Sequence, residues 1–118
     1  MLTVMVDIDG TISAAPQQFR DILGSLQNAG YHIVIVSGTN PNSPSGPTWD
    51  TKVAYLKDIG FTTNWDELVV VSGDLPQAKA LWCQQNNCTV AIDNDKQNAQ
   101  ALVNAGVALV LVPWATRE

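Results

Sequence analysis

Histidine and cysteine are scarce in this sequence: His32 is the sole histidine, and Cys83 and Cys88 are the two cysteines. One imidazole in a strand-like run and two thiols do not make a zinc ligand set. The pair reads as reduced, partly buried thiols rather than a structural disulfide. Basic side chains are also few, six against eleven acids, for a net charge of −5. No basic stripe runs through the chain, which argues against a surface built to grip a polyanion. Long apolar runs are missing too. The longest, such as 107–112, fall far short of the ~20 residues that span a bilayer. The N-terminus lacks a basic region followed by an apolar stretch and a cleavage site, so a cytoplasmic protein with no membrane partner is expected.

What is present is enough apolar material for one core: 46% of the 118 residues are hydrophobic and only 14% are charged. That balance excludes a disordered or fibrous chain. Apolar runs at 2–6, 32–36, 68–71, 89–92 and 107–112 are continuous and β-branched, as expected of strands covered on both faces. Helical spacing lies between them. Phe19, Ile22, Leu23 and Leu26 form one stripe between Pro16 and Gly30. Trp49, Val53 and Leu56 form a second, closed by Gly60; Ala78, Leu81 and Trp82 form a third after Pro76. Ala99, Leu102 and Val103 form the fourth, with Asp95 as N-cap and Gly106 beyond. The alternation predicts an α/β fold over 1–118: one doubly wound parallel sheet of five strands with helices on both faces; as a Rossmann-like sheet it would take strand order 3-2-1-4-5. The long loop 38–48 carries Pro41, Pro44 and Pro47, and serves either as a stiff connector or as the mouth of a site.

In such a sheet, ligands gather beyond the carboxyl ends of the strands. The residues one past the predicted strands are Asp7, Ser37, Ser72 and Asp93, with strand five ending instead at Pro113. Asp7-Ile8-Asp9-Gly10-Thr11 is the most specific of these signals. Two carboxylates two residues apart can both face a cation or phosphate if the chain leaves the strand between them, and Gly10 supplies that freedom. The acids Asp7, Asp9, Asp93 and Asp95 fall in two short segments, which points to a divalent cation.

These segments resemble the four motifs of haloacid dehalogenase-type phosphatases. Asp7-Ile8-Asp9-Gly10-Thr11-Ile12 is similar to their first motif, and Ile33 to Gly38, with Ser37 ending an apolar run, to the second. Lys79 matches the single lysine of the third. Val90-Ala91-Ile92-Asp93 followed by Asn94-Asp95 resembles the acidic fourth. The resemblance implies a phosphomonoester hydrolase that works through an aspartyl-phosphate on Asp7, with Asp9 as general acid and base. It implies Mg²⁺ held by Asp7, Asp93 and the backbone carbonyl of Asp9. Ser37 would bind a phosphoryl oxygen, Lys79 would balance charge, and Gly10, Thr11, Gly38 and Thr39 would shape the substrate loops.

Many relatives carry a second acid where this chain has Asn94, leaving Asp95 either to assist the metal through water or to cap a helix. About thirty residues separate Asp7 from Ser37, which leaves no room for a cap domain. Capless relatives take large substrates on an open site or close it with a neighbouring subunit. The expected partner is a phosphorylated small molecule, and a homo-oligomer is one way to cover the site. The chain also resembles the phosphatase domain of phage polynucleotide kinase, which implies a phosphorylated nucleic-acid end as the alternative substrate. The acidic charge and Thr39-Asn40, in place of a phosphate-gripping arginine, count against it. A signalling receiver domain would need an aspartate after strand three, where Ser72 stands. A non-catalytic phosphate- or metal-binding module would have no need of Asp9. Of the tryptophans, Trp65, Trp82 and Trp114 are expected in the core or an interface, and Trp49 is the one placed to touch a ligand.

Overall fold

A computed structural model describes residues 2–113; Trp114 lies outside the described residues. The strands are β1 (Thr3–Val6), β2 (His32–Gly38), β3 (Glu67–Val71), β4 (Cys88–Ile92) and β5 (Leu109–Leu111). All pair in parallel, in the order β3-β2-β1-β4-β5. The helices are α1 (Pro16–Asn28), α2 (Trp49–Asp58), α3 (Leu75–Gln85) and α4 (Lys96–Asn104), with a 3-10 turn at Ile12–Ala14.

The continuous apolar strands are explained by two cores, one on each face of the sheet. Side chains alternate along a strand, so Val4 and Val6 join Ile33 and Ile35 on one face, with Phe19, Leu23, Leu56 and Phe61 over them. Met5 joins Val34, Val36 and Ala91 on the other face, beneath Cys83 and Leu102. The first face is therefore covered by α1 and α2, the second by α3 and α4. β1 is buried along its whole length because it lies between β2 and β4.

β5 departs from the expected buried strand. It spans three residues, and Leu109 and Leu111 are exposed while Val110 packs against the second core. An edge strand with a helix on one face alone buries alternate residues, so the apolar run at 107–112 overstates its burial. One member of each helical stripe lies off the packed face, while Phe19, Leu23, Leu56, Ala99 and Leu102 are buried as the spacing indicated. Ile22, Trp49, Leu81 and Val103 are all about half exposed. In α2 and α3 the buried face instead carries a lysine and a residue four positions on: Lys52 with Leu56, and Lys79 with Cys83.

Local signals set the helix starts. Thr48 caps α2 through a reciprocal box, accepting from the Thr51 amide at 3.1 Å while its own amide donates to Thr51 Oγ1 at 3.0 Å. Asp95 caps α4 by accepting from the Asn98 amide at 3.0 Å, as its position indicated. Cys83 and Cys88 are free thiols, buried at the end of α3 and the start of β4. Trp82 is half-buried against the second core and Trp65 against the first. Among the described residues no helix is long and apolar enough to cross a membrane.

Candidate functional site

The chain runs outward from β1 in one direction to β2 and β3, and in the other to β4 and β5, so the strand order reverses at β1. The crevice at its carboxyl end is where such a sheet exposes backbone and side chains to a ligand. Asp7 follows β1 directly, and its amide donates to the Ile92 carbonyl at 3.0 Å, which holds it beside the end of β4. Asp93 leaves β4 at the same level and is fully buried; Asp7 is 7% exposed.

Two buried acids this near each other repel, and Lys79 offsets this. Its Nζ donates to Asp7 Oδ1 at 2.8 Å and to Asp93 Oδ2 at 2.7 Å from a side chain with no exposure. Burial by itself disfavours the ammonium, but the attraction of Asp7 and Asp93 outweighs it and holds the Lys79 pKa above the ordinary lysine value. Asp7 is pushed up to about 6, chiefly by burial, with Lys79 opposing and Asp93 adding repulsion. Asp93 is held further by Asn98 Nδ2 at 3.2 Å on Oδ2 and by the Asp95 amide at 3.0 Å on Oδ1.

The second oxygen of Asp7 faces a different group. Thr11 Oγ1 donates to Asp7 Oδ2 at 3.3 Å and accepts from the Asn94 amide at 3.1 Å. The Asn94 side chain ends among Thr11 Oγ1, Asp7 Oδ2 and the Asp9 carbonyl, at 3.2, 3.1 and 3.0 Å. With its nitrogen turned to them its two protons are shared among the three; with its oxygen turned to them, four oxygens converge. Gly10 permits that approach. It has φ +82°, and a Cβ there would lie 2.4 Å from Asn94 Nδ2.

Asp9 points towards the proline loop. Its Oδ1 accepts from the Ser45 amide at 3.1 Å and its Oδ2 from Ser45 Oγ at 2.7 Å. Ser45 Oγ accepts in turn from Lys52 Nζ at 2.9 Å. Both Ser45 and Lys52 are buried. Burial lowers the Lys52 pKa, against the opposing pull of Asp9 and Asp7. Sequence reading missed Ser45, Lys52 and Asn98. The available signal for Lys52 was a lysine four residues before buried Leu56, on the face that packs against the sheet.

Asp7, Asp9, Ser37 and Gly38 share a cavity of ≈ 210 Å³ with Asn40, Ser43, Leu75, Asn94, Asp95 and Asn98. Loop 38–48 therefore forms the mouth of this cavity. Ser37 lies within β2, buried, and pairs in register with Val70 of β3. Thr11 is buried beneath the floor. Thr39 is exposed outside the lining, where its neighbour Asn40 takes the position. Ser72 is exposed and also outside it, because β3 lies two strands from β1. Trp49 does not face the cavity: its indole Nε1 donates to the Leu68 carbonyl at 3.2 Å, pinning it to β3. Asp95 both lines the cavity and caps α4.

No family model and no curated protein matches the chain. Its structure is similar to that of a universal stress protein in complex with cAMP, at TM-score 0.63 and 13% identity over 98% of each chain. It is also similar to D,D-heptose 1.7-bisphosphate phosphatase from B. bronchiseptica complexed with magnesium and phosphate. That likeness has TM-score 0.61 and 14% identity over 94% of this chain and 80% of that one. At such identities the likeness is one of fold. A phosphatase and a cAMP-bound stress protein thus share this α/β architecture, which agrees with the fold that the sequence motifs implied.

Proposed function

We propose that the chain is a Mg²⁺-dependent phosphomonoester hydrolase acting on a phosphorylated small molecule through an aspartyl-phosphate on Asp7. The observation that carries this reading is the division of labour across one carboxylate. Asp7 Oδ1 is tied to buried Lys79, while Oδ2 faces the Asp9 carbonyl and the Asn94 side chain. The oxygens there suit a hard cation. Adjacent ligands of octahedral Mg²⁺ lie about 3 Å apart, and the 3.0 and 3.1 Å separations around the end of Asn94 match that spacing. Asp7, the Asp9 carbonyl, Asp93 and Asn94 would hold the ion, which when bound supplies charge neutralisation for the phosphoryl oxygens. The phosphatase whose fold is similar was complexed with magnesium and phosphate, which supports a reading that pairs this ion with a phosphoryl group.

The chain's own groups account for the remaining steps. Lys79 offsets negative charge as the phosphoryl group meets Asp7, and its double carboxylate pairing keeps it protonated. Ser37 and the Gly38 backbone line the side of the cavity opposite β4 and would receive phosphoryl oxygens. Asp9 donates a proton to the departing ester oxygen as the P–O bond breaks, then accepts one from the water that attacks the aspartyl-phosphate.

The test is phosphate release from a broad panel of phosphomonoesters, including 3′- and 5′-phosphorylated oligonucleotides, with Mg²⁺ and with chelator. Metal-dependent turnover that vanishes in a folded Asp7→Asn variant is expected. Turnover that survives that change would dismiss Asp7 as the nucleophile. The likeness to a cAMP-bound stress protein favours a second reading, a non-catalytic phosphate-binding module. It predicts ligand binding with no phosphate released from any member of the panel.

A further inference from the structure

We infer that Lys52 is a positioning residue for the proton-transfer step, acting through Ser45 to fix the direction of the Asp9 carboxylate; this rests on the hydrolase reading above. An ammonium has three protons to donate and no acceptor, whereas a hydroxyl has one proton and accepting lone pairs. Because Lys52 Nζ donates to Ser45 Oγ at 2.9 Å, the Ser45 proton is directed to Asp9 Oδ2, 2.7 Å away. The Ser45 amide holds Oδ1 at 3.1 Å, so one residue clamps both oxygens of Asp9. Each oxygen keeps a further lone pair, which leaves room for the proton that Asp9 gives up and regains.

The clamp is built from one short stretch of chain. Ser45 lies in the proline loop and Lys52 in the first turns of α2, joined by the Thr48–Thr51 capping box. Gly46 turns the chain between them at φ +78°, where a Cβ would sit 2.5 Å from Thr51 Oγ1. Lys52 has no solvent exposure, and Ser45 Oγ is its hydrogen-bond partner among the described residues. Burying an ammonium costs hydration energy, where an apolar side chain of similar length would pack at no such cost. What distinguishes lysine here is a charge drawn to Asp9 and Asp7 and the hydrogen bond it places on Ser45.

Leaving-group dependence tests the assignment. Alkyl phosphates need a proton on the departing oxygen; 2,4-dinitrophenyl phosphate does not. In single turnovers, which read transfer to Asp7 before water attacks the aspartyl-phosphate, Ser45→Ala and Lys52→Met are expected to lose on the order of 10²-fold in rate on an alkyl phosphate, with the burst of dinitrophenolate nearly unchanged. Ser45→Thr, which keeps the hydroxyl, should retain most of the alkyl activity. Ser45→Ala removes one oxygen from a loop, so it reads the effect even where Lys52→Met does not fold. Equal losses of this first step on both esters, or no loss on either, would overturn the positioning role. A wild-type protein inert towards both esters in Mg²⁺ would overturn the hydrolase reading, and this one with it.

Discussion

Lys79 Nζ lies 2.8 Å from Asp7 Oδ1 at the end of a side chain wholly withdrawn from solvent. Its second contact, to Asp93 Oδ2 at 2.7 Å, joins the ends of β1 and β4 through one ammonium. Three charged groups thus share a space that solvent scarcely reaches, and the ammonium holds both carboxylates.

Removing that ammonium leaves two buried carboxylates without a counter-charge. Lys79→Met should lower unfolding free energy by about 3–5 kcal/mol near neutral pH. The loss should shrink in acid, where Asp7 takes up a proton. Denaturant titrations at several pH values read this directly. A loss that stays under 1 kcal/mol throughout would mean the carboxylates find other partners.

Asp7 provides a separate pH signature. Its folded pKa is raised from 3.8 to about 6, mainly by burial. An acid that binds its proton more tightly when folded stabilises the fold in acid, and that contribution is lost as pH rises from its unfolded pKa through its folded one. Asp7→Asn lacks the titration. In chelator-treated buffer, the stability gap should therefore move in the variant's favour by about 1–3 kcal/mol as pH rises from about 4 to 7. A gap that does not vary with pH would show that Asp7 titrates as an ordinary carboxyl.

Gly10 and Asn94 are coupled by space. An alanine at position 10 must adopt φ +82° and displace an amide that would stand 2.4 Å from its Cβ. Gly10→Ala should cost about 1–2 kcal/mol and weaken Mg²⁺ binding measured by calorimetry. In an Asn94→Ala background the same change should cost less, since the steric part is gone. Equal costs in both backgrounds would assign the whole effect to backbone strain.

Much of this architecture is readable from residue order. Continuous β-branched runs separated by helical spacing demand a sheet covered on both faces, and the two cores meet that demand with alternate residues of β1 and β2. The polar residues at the ends of β1 and β4 read correctly as neighbours, because adjacent parallel strands bring their carboxyl ends together. Misreadings arose where apolarity was taken for burial. Leu109 and Leu111 belong to an edge strand, and Trp49 and Leu81 lie off the packed faces of their helices. Helical period sets the spacing of a stripe, but the neighbouring elements set its angle.

Sequence alone determined the α/β class, the strand order, the Asp7-to-Thr11 turn and the candidacy of Ser37, Lys79 and Asp93, since each depends on local pattern or on a recognisable motif. Tertiary structure decided which polar groups enter the low-dielectric interior, and with which partners. Ser45 meets Asp9 across 36 positions of chain, and Lys79 meets Asp7 across 72. A lysine on a helix is ordinarily solvated. Lys52 and Lys79 are buried because the sheet and the proline loop close over them, and only that closure places each ammonium where oxygen atoms can receive it.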